Sequence, residues 1–469
     1  MPIQLYNSLT KKKETLPSPQ EKKTINMYSC GVTVYDACHI GHARSVFVFD
    51  VIKRYLKFRG YEVHFVRNIT DVDDKIINKA KESGKSSEQV ALDNIKLYHE
   101  DLRALDVDLA DIEPRATENI PEMIEHIQKL IIKGFAYESQ GSVYYNVRKF
   151  ESYGQLSGQS IEKMLEAVRI DKSEDKKDPL DFALWKKSAE DEPGWPSPWG
   201  RGRPGWHIEC TCMSLKHLKC ETIDIHAGGR DLIFPHHENE IAQAEPVTGK
   251  TFAKYWIHHG LLTINGQKMS KSLGNFVTIQ DAVKQFNVDD LKFFYLMSHY
   301  ASPIDFSEDK IKEAHQALQR FVILGEQIAR IKSSEGERQA TVSGDGWVEK
   351  HKENFLEAMD DDFNTPRALG SMFEWITDMN KRLTQAKPDH KEIIRSYETL
   401  SQLIHHIFGL FDLAHENIEL DGDLKDLLKA REEARKNKNF KRSDELRDEL
   451  KVLGIAVEDT KDGQRWRRM

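Results

Sequence analysis

Apolar runs interrupted by polar turns divide residues 24–70 into a strand, a helix and a second strand. A β-prone run at 25–29 leads into a polar turn, and the residues after it have a helical pattern that Gly60 ends. Residues 62–70 form the next β-prone run. This order predicts two parallel strands joined by a helical crossover. Ligands bind at the carboxyl ends of the strands in such sheets, so the polar residues there are the first candidates for a site.

The alternation stops between residues 107 and 200 and then resumes. The interval includes Pro114 and Pro121, a β-like run at 142–147 and a charged run at 171–178, which together indicate an insertion. Residues 206–264 return to the α/β pattern, beginning with a helix at 206–217. We therefore interpret the segments on either side of the insertion as two halves of one nucleotide-binding fold.

The last third of the chain has a helical pattern. It runs from about residue 275 to 410, with a polar linker at 333–345. Two charged helices and two short β-like runs follow, and Asp462-Gly463 between those runs is a hairpin signal. These patterns predict a helical bundle and then a small mixed α/β domain.

The turn after the first strand, CGVTVYDACHIGH from Cys30 to His42, carries candidate chemistry. It places His39, Gly41 and His42 where the turn enters the helix. Backbone N–H groups at a helix start are unpaired and attract anions, and Gly41 has no Cβ to keep a ligand away. Two imidazoles beside an anion site suit phosphate chemistry. A helix-capping loop that happens to contain histidines is the alternative for this segment alone.

A second motif, KMSKS at 268–272, follows another β-like run at 255–264. HIGH after the first strand and KMSKS after a late strand form the paired motif of class I aminoacyl-tRNA synthetases. GWHIEC at 205–210 and FPHHENE at 234–240 lie between them. With CGVTVYD at the front, nearly the whole chain closely resembles the cysteinyl-tRNA synthetase family, as does its WRR tail.

The pattern and the resemblance together imply the fold class and the domains. The class is α/β, with a Rossmann-type parallel-sheet catalytic domain split by an insertion, then a helical bundle and a small C-terminal mixed α/β domain. The expected divisions are the first catalytic half at 1–110, the connective insertion at 111–203, the second catalytic half at 204–265, the KMSKS loop and stem-contact region at 266–310, the helical bundle at 311–412 and the anticodon-binding domain at 424–469.

Four residues are the best candidates for metal ligands: Cys30, Cys210, His236 and Glu240. His236 and Glu240 are four apart and share one face if they lie on a helix. Zinc accepts thiolates, imidazole and carboxylate and is usually four-coordinate. Spacing alone would also allow His237 for His236, or Cys212 for Cys210, and the resemblance selects the first set. Helix-core thiols are the alternative for Cys210 and Cys212, and we expect Cys38 and Cys220 to be packing residues.

Length, charge and cysteine content restrict the number of domains, the mode of nucleic-acid binding and the cellular compartment. A chain of 469 residues is too long for one core, and its net charge of −8 means that nucleic acid binds through local basic patches. Five cysteines, an odd number without a secretory framework, favour reduced thiols. Residues 1–20 hold no apolar signal region, and no stretch is apolar enough to span a membrane. We expect a cytoplasmic monomer with no membrane partner.

The resemblance implies a reaction: ATP, L-cysteine and tRNA(Cys) give cysteinyl-tRNA, AMP and pyrophosphate. One Zn²⁺ per chain would read the substrate thiolate, and Mg²⁺ would accompany ATP. The implied residues are His39, Gly41, His42 and Lys271 for ATP, with His39, His42, Lys268 and Lys271 catalytic; Gly31, Thr70, Trp206 and His226 for the amino acid; and Trp466 and Arg467 for tRNA.

Three other functions compete with this interpretation. A cysteine ligase of the same fold that transfers cysteine to an amino sugar would share the adenylate chemistry, but the basic, Trp-tipped terminus argues against it. A zinc hydrolase using His236-His237-Glu238 would lack the H-E-x-x-H order and leave KMSKS unexplained. A non-catalytic tRNA-binding protein would not need intact HIGH and KMSKS motifs.

Overall fold

A computed structural model describes residues 2–167, 175–270, 273–335, 346–410, 422–437, 439–453, 455–460 and 463–468. A short antiparallel pair, β1 (Gln4–Asn7) and β2 (Lys12–Thr15), precedes the main sheet. The sheet has four parallel strands: β3 (Thr24–Thr33), β4 (Glu62–Thr70), β9 (Ile223–Gly229) and β10 (Ala253–His259). They lie in the order β10, β9, β3, β4, so the first and last pieces of the α/β pattern meet in one sheet.

Five helices accompany the two halves of this sheet: α1 (Ile40–Phe58), α2 (Asp74–Ser83), α3 (Ser87–Ala104), α6 (Trp206–Leu218) and α7 (Glu238–Thr248). Helix α1 is buried along most of its length because its apolar residues face the sheet and the helices that follow. The parallel sheet and its crossover helices confirm the predicted α/β fold class.

The insertion between the halves forms an antiparallel sheet of its own. Its strands are β5 (Ala136–Ser139), β6 (Ser142–Tyr145), β7 (Phe182–Lys187) and β8 (Gly202–Pro204), paired in chain order. Helices α4 (Ile120–Ile132) and α5 (Ile161–Ala167) belong to the same segment. A separate hydrophobic cluster centred on Trp185 and Tyr145 stabilises it.

After β10 the chain forms a small platform and then a helical bundle. The platform consists of β11 (Leu262–Ile264), β12 (Gln267–Lys268), α8 (Ile279–Gln285), α9 (Val288–Leu296) and β13 (Ile304–Phe306). The bundle consists of α10 (Glu308–Glu335), α11 (Trp347–Asp360), α12 (Thr365–Leu383) and α13 (His390–Phe408). One hydrophobic core runs from α1 through the platform into this bundle.

The chain divides into two compact units, residues 1–413 and 414–469. The second unit has two helices, α14 (Gly422–Lys436) and α15 (Phe440–Val452), and a hairpin of β14 (Ile455–Thr460) and β15 (Gly463–Arg468). The hairpin confirms the strand pair expected at Asp462-Gly463, although Asp462 itself lies outside the described residues. The domain boundaries expected inside the first unit stay predictions. No described helix has the length and apolar character needed to cross a membrane.

Candidate active site

The HIGH turn forms a closed helix cap. His39 is the extended N-cap residue of α1, and its Nδ1 accepts hydrogen bonds from the backbone N–H groups of Gly41 (3.1 Å) and His42 (3.3 Å). The Nδ1 of His42 in turn accepts from the N–H of His39 at 3.2 Å, and the N–H of Ile40 donates to the Val277 carbonyl. The expectation that these backbone amides are free to bind an anion is therefore wrong. The histidine rings occupy the N–H groups of His39, Gly41 and His42, and the Val277 carbonyl occupies that of Ile40.

This cap leaves each imidazole with one outward donor. Because Nδ1 accepts in both rings, the proton of the neutral imidazole lies on Nε2. Burial lowers the pKa of His39 to about 4 and that of His42 to about 3, so both rings are neutral near pH 7. The rings stack with their centroids 3.8 Å apart. The turn thus offers two adjacent neutral N–H donors, which suit phosphate oxygens.

Gly41 serves ring packing. A Cβ there would lie 2.9 Å from Cε1 of His39 and 3.6 Å from Cε of Met269. The space that the missing Cβ leaves is taken by the cap and by the KMSKS segment. That Gly41 also lets a ligand approach the backbone stays a prediction.

The structure brings the KMSKS segment onto the HIGH turn. Phe276 lies edge-on to the ring of His39, with centroids 5.4 Å apart, and the N–H of Ile279 donates to the Cys38 carbonyl at 2.9 Å. Asn275 bonds both the Ser270 N–H and the Lys268 carbonyl and so closes the loop between them. Lys268 is exposed on β12, whereas Lys271 and Ser272 lie outside the described residues.

Four predicted metal ligands converge on one point. One donor atom each from Cys30, Cys210, His236 and Glu240 lies within 4.8 Å of the others. Cys210, His236 and Glu240 are buried, and Cys30 is half-buried. Residues 180 positions apart in the chain meet here because β3 and α6 are neighbours in the fold.

Irregular backbone in β3 and before α7 lets these side chains converge. The ladder between β3 and β4 shifts register between Ser29 and Val32, which frees Cys30 from the regular strand pattern. His236 lies in a π-type turn, Ile233–His237, that contains extended backbone at Phe234. Helix α7 begins only at Glu238, so His236 and Glu240 do not share a regular helix as the spacing predicted. The wide turn still places His236 Nε2 3.0 Å from Glu240 Oε1.

The electrostatics of this cluster fit a bound cation. Burial would raise the pKa of Cys210, but the hydrogen bond from Cys30 and the nearby His236 bring it down to about 7. Burial raises the pKa of Cys30 and of Glu240 well above their ordinary values. The buried atoms His236 Nε2 and Glu240 Oε2 make no hydrogen bond of regular geometry among the described residues, although His236 Nε2 lies 3.0 Å from Glu240 Oε1 and His226 Nε2 lies 3.2 Å from Glu240 Oε2. Two thiols, an imidazole and a carboxylate gathered in this way are a donor set that zinc accepts.

A second donor set overlaps the first. Cys30, His226, His237 and Glu240 also hold one donor atom each within 4.8 Å of the others. The two sets share Cys30 and Glu240 and therefore describe overlapping positions, of which the set with Cys210 offers two thiols. Cys212 belongs to neither set. It is 5% exposed and packs in the hydrophobic cluster of the insertion, which excludes it as a replacement for Cys210.

The sequence interpretation missed the histidines behind this cluster. His207 Nδ1 lies 2.8 Å from His236 Nδ1, and His258 Nε2 lies 2.8 Å from His237 Nδ1. His259, at the end of β10, adds a further buried imidazole whose Nδ1 lies 2.9 Å from the Gly260 carbonyl. The pair His258-His259 at a strand end was the available signal, because strand ends carry the site in this fold class.

The residues predicted for the amino-acid pocket contact the candidate metal donors or their neighbours in the chain. Trp206, 36% exposed, stacks on His236 with ring centroids 4.0 Å apart, and the Thr70 hydroxyl donates to Glu209 at 2.9 Å. His226 is fully buried, with Nε2 3.2 Å from Glu240 Oε2. Gly31 is required sterically, since a Cβ there would lie 1.6 Å from the Asn68 carbonyl oxygen.

Trp466 and Arg467 lie on β15 of the second unit. In the hairpin register Trp466 pairs with Val457, and Arg467 pairs with Ala456. Their side chains lie outside what the structure describes.

Comparison with known proteins identifies three family models along the chain. Residues 16–316 match the class I (C) tRNA synthetase catalytic domain, residues 354–412 match the DALR domain, and residues 418–467 match the cysteinyl-tRNA ligase anticodon binding domain. The cysteine–tRNA ligase of Geobacillus thermodenitrificans is 49% identical over 99% of both chains. That of Persephonella marina is 46% identical over the full length of both.

Solved structures agree at the level of the fold. Methionyl-tRNA synthetase of Mycobacterium tuberculosis, in complex with methionyl-adenylate, superposes with a TM-score of 0.65 at 15% identity, over 82% of this chain and 92% of that one. A putative arginyl-tRNA synthetase from Campylobacter jejuni gives 0.57 at 13% identity, over 83% and 94%. Full-length identity near one half, together with the catalytic-domain model over residues 16–316, shows that this chain belongs to the cysteine–tRNA ligase family of class I aminoacyl-tRNA synthetases.

Proposed function

We propose that this protein activates L-cysteine with ATP and transfers the cysteinyl group to the 3′ end of tRNA(Cys). The observation that carries the proposal is the convergence of Cys30, Cys210, His236 and Glu240 on the same strand–turn–helix unit as the HIGH turn. This convergence supports a thiol-selective site beside a phosphate site. Relatives named cysteine–tRNA ligase, similar over their full length, support the same reaction.

The residues present fit one Zn²⁺, and Cys30, Cys210, His236 and Glu240 would hold it. A soft cation there binds the thiolate of cysteine in preference to the hydroxyl of serine. The protein's own part is to exclude water and orient the donors. Trp206 covers the His236 ring, and His207 holds its other nitrogen, which fixes the direction of Nε2.

In the activation step the cysteine carboxylate attacks the α-phosphate of ATP, and pyrophosphate leaves. The Nε2–H groups of His39 and His42 would donate to phosphate oxygens without carrying charge themselves. Lys268 and Lys271 would bring positive charge to the departing phosphates, and Mg²⁺ would accompany ATP. Positioning and charge stabilisation carry the rate, because no covalent bond to the protein is needed.

In the transfer step a ribose hydroxyl of the tRNA 3′ end attacks the carbonyl carbon of the adenylate, and AMP leaves. We assign Gly31, Thr70, Trp206 and His226 to the amino-acid pocket because they surround the candidate metal donors. All five cysteines are free thiols, as the proposed site requires of Cys30 and Cys210. We further propose that the enzyme works in the cytoplasm as a monomer.

One bound zinc per chain is the first expected result. Cys210→Ser should remove most of it, because an alcohol replaces the thiolate in the donor set. Cys212→Ser is the matched control, since Cys212 is two residues away and packs in a core. Elemental analysis of protein purified without added metal measures both. Zinc absent from the wild type, or retained by Cys210→Ser, would contradict the assignment.

A second expected result concerns tRNA. We propose that Trp466 stacks on an anticodon base and that Arg467 contacts the backbone beside it. Loss of such a stack costs roughly 1–3 kcal/mol, so Trp466→Ala should weaken tRNA charging but leave pyrophosphate exchange nearly unchanged. Trp466→Phe, which keeps an aromatic face, should retain most of the charging. Parallel loss of charging and exchange would mean that the terminus only supports the catalytic core.

Transfer of cysteine to an amino sugar is not favoured. The match of residues 418–467 to the cysteinyl-tRNA ligase anticodon binding domain supports tRNA recognition as the role of the second unit, and the amino-sugar reaction would leave that unit without a role. Charging of tRNA(Cys) by the purified protein distinguishes the two reactions.

A further inference from the structure

The guanidinium of Arg44 joins helix α1 to the strands that carry KMSKS. Arg44 is 1% exposed and lies two residues after His42. Its Nη1 donates to the carbonyls of Gly260 at 2.7 Å and Leu261 at 3.0 Å. Its Nη2 donates to the carbonyls of Tyr300 at 3.2 Å and Ser302 at 2.6 Å. One side chain of helix α1 is therefore hydrogen-bonded to two separate segments of the chain.

Those two segments are the base of the KMSKS hairpin. Gly260 and Leu261 connect β10 to β11, and residues 300–302 lead into β13, which pairs in parallel with β11. β11 turns through Asn265 and Gly266, with φ values of 50° and 75°, into β12. Lys268 is the last residue of β12. The hydrogen bonds of Arg44 to the base of this hairpin therefore help to fix the position of Lys268 relative to α1.

The junction has little room to adjust. A Cβ on Gly260 would lie 2.1 Å from the Ser302 carbonyl oxygen. The Gly260 N–H donates to the Tyr300 carbonyl at 2.8 Å, and the Ile304 N–H donates to the Leu261 carbonyl at 2.9 Å. A displacement of Arg44 would therefore move both segments together.

The partners of Arg44 are unusual for a buried cation. No carboxylate in the described part of the chain lies within ion-pair distance of it, although buried charges are usually paired. Four carbonyl dipoles take the place of a counter-ion. The planar fork of arginine can reach two backbone segments at once, which the single ammonium of lysine cannot reproduce. This geometry indicates that the side chain is used to set a distance.

We propose that Arg44 is a positioning residue for amino-acid activation: it holds the base of the KMSKS hairpin at a fixed distance from the His39–His42 phosphate site. Arg44 touches no substrate and acts through Gly260, Leu261, Tyr300 and Ser302. The inference rests on the proposed function, because it requires that the HIGH turn and the hairpin act on the same ATP.

The test measures cysteine-dependent ATP–pyrophosphate exchange by the full-length, zinc-loaded protein and its variants. Arg44→Gln should lower kcat by about 10²-fold, the effect of a misplacement of roughly 1 Å in a catalytic constellation. The KM for cysteine and the zinc content should stay at wild-type values, because the metal donors do not contact Arg44. Arg44→Lys keeps the positive charge but loses the planar guanidinium, and its kcat should lie between those of the wild type and Arg44→Gln.

Two further variants separate positioning from folding. Gly260→Ala should lower kcat from the partner side by forcing Ser302 away, so it tests the junction even if Arg44→Gln does not fold. Arg59→Gln, at the far end of α1, removes a contact to Asp360 and should lower the melting temperature without changing kcat. ATP should also protect the hairpin of the wild type from trypsin, and this protection should be weaker in Arg44→Gln.

Wild-type kcat in Arg44→Gln and Gly260→Ala, with only a lower melting temperature, would overturn the inference. Loss of zinc and cysteine affinity in proportion to kcat would overturn it as well. A wild-type protein without any cysteine-dependent exchange would overturn the proposed function and this inference with it.

Discussion

Wild-type protein is expected to activate cysteine with a kcat/KM ~10⁴-fold or more above that for serine in ATP–pyrophosphate exchange, with no tRNA present. Cysteine and serine are nearly isosteric, so shape alone cannot separate them. A site built around one specific polar contact rejects an analogue lacking it by ~10⁴ or more, about 5–6 kcal/mol. Cys30 lies in the last part of β3, and the HIGH turn at His39–His42 follows that strand in the chain, so we expect the sulfur and the carboxylate of one substrate to be read together.

Two variants separate the effect of the candidate metal site on selectivity from the effect of the phosphate site on rate. Glu240→Gln should erode the cysteine-to-serine ratio, because it disturbs the metal donors while keeping the shape of the side chain. Lys271→Ala should lower both exchange rates and leave their ratio unchanged. A wild-type ratio below about 10², or selectivity that depends on hydrolysis after transfer, would contradict direct reading of the thiolate.

Lys271→Ala should slow formation of the adenylate by about two to three orders of magnitude, the usual cost of losing one preorganised transition-state contact. Its motif begins on β12 at Lys268, and Met269 and Phe276 beside it lie against the HIGH turn, while Asn275 bonds the Lys268 carbonyl. Zinc content and cysteine affinity should stay unchanged. Single-turnover measurement of adenylate formation gives the rate.

Lys284→Ala is the matched control for this lysine. Lys284 is exposed on α8, the helix that follows the same loop, and its replacement should leave the rate at the wild-type value. A fall in cysteine binding with intact adenylate formation in Lys271→Ala would remove Lys271 from the phosphate site.

The strand–helix–strand order was predictable because hydrophobic period and turn residues agreed along the segment. The run at 62–70 coincides with β4, and the helix expected at 206–217 differs from α6 by one residue at its end. The convergence of the candidate metal donors was predictable from residue type and resemblance. Their geometry was not, because it depends on irregular backbone: a register shift at Cys30 and a π-type turn at His236.

The hydrogen bonds of the HIGH turn are a clearer example of what the sequence could not predict. Sequence rules predict free amides at a helix start, and they do not say which side chain will occupy them. In this protein the two histidines of the motif form the cap, and the donors they leave for a ligand are their Nε2–H groups. The role of Arg44 was equally hidden, since its four carbonyl partners come from positions more than 200 residues away in the chain. Backbone acceptors leave no signal in a sequence.

The most direct test of the account is substitution of Co²⁺ for the metal, followed by absorption spectroscopy during titration with substrate. Cobalt bound by Cys30 and Cys210 gives sulfur-to-metal charge-transfer bands. Cysteine should strengthen those bands by adding a third sulfur, whereas serine should leave them unchanged and Cys210→Ser should weaken them before any substrate is added. Bands that do not respond to cysteine, in a cobalt protein that still forms cysteinyl-adenylate, would contradict recognition of the thiolate by the metal.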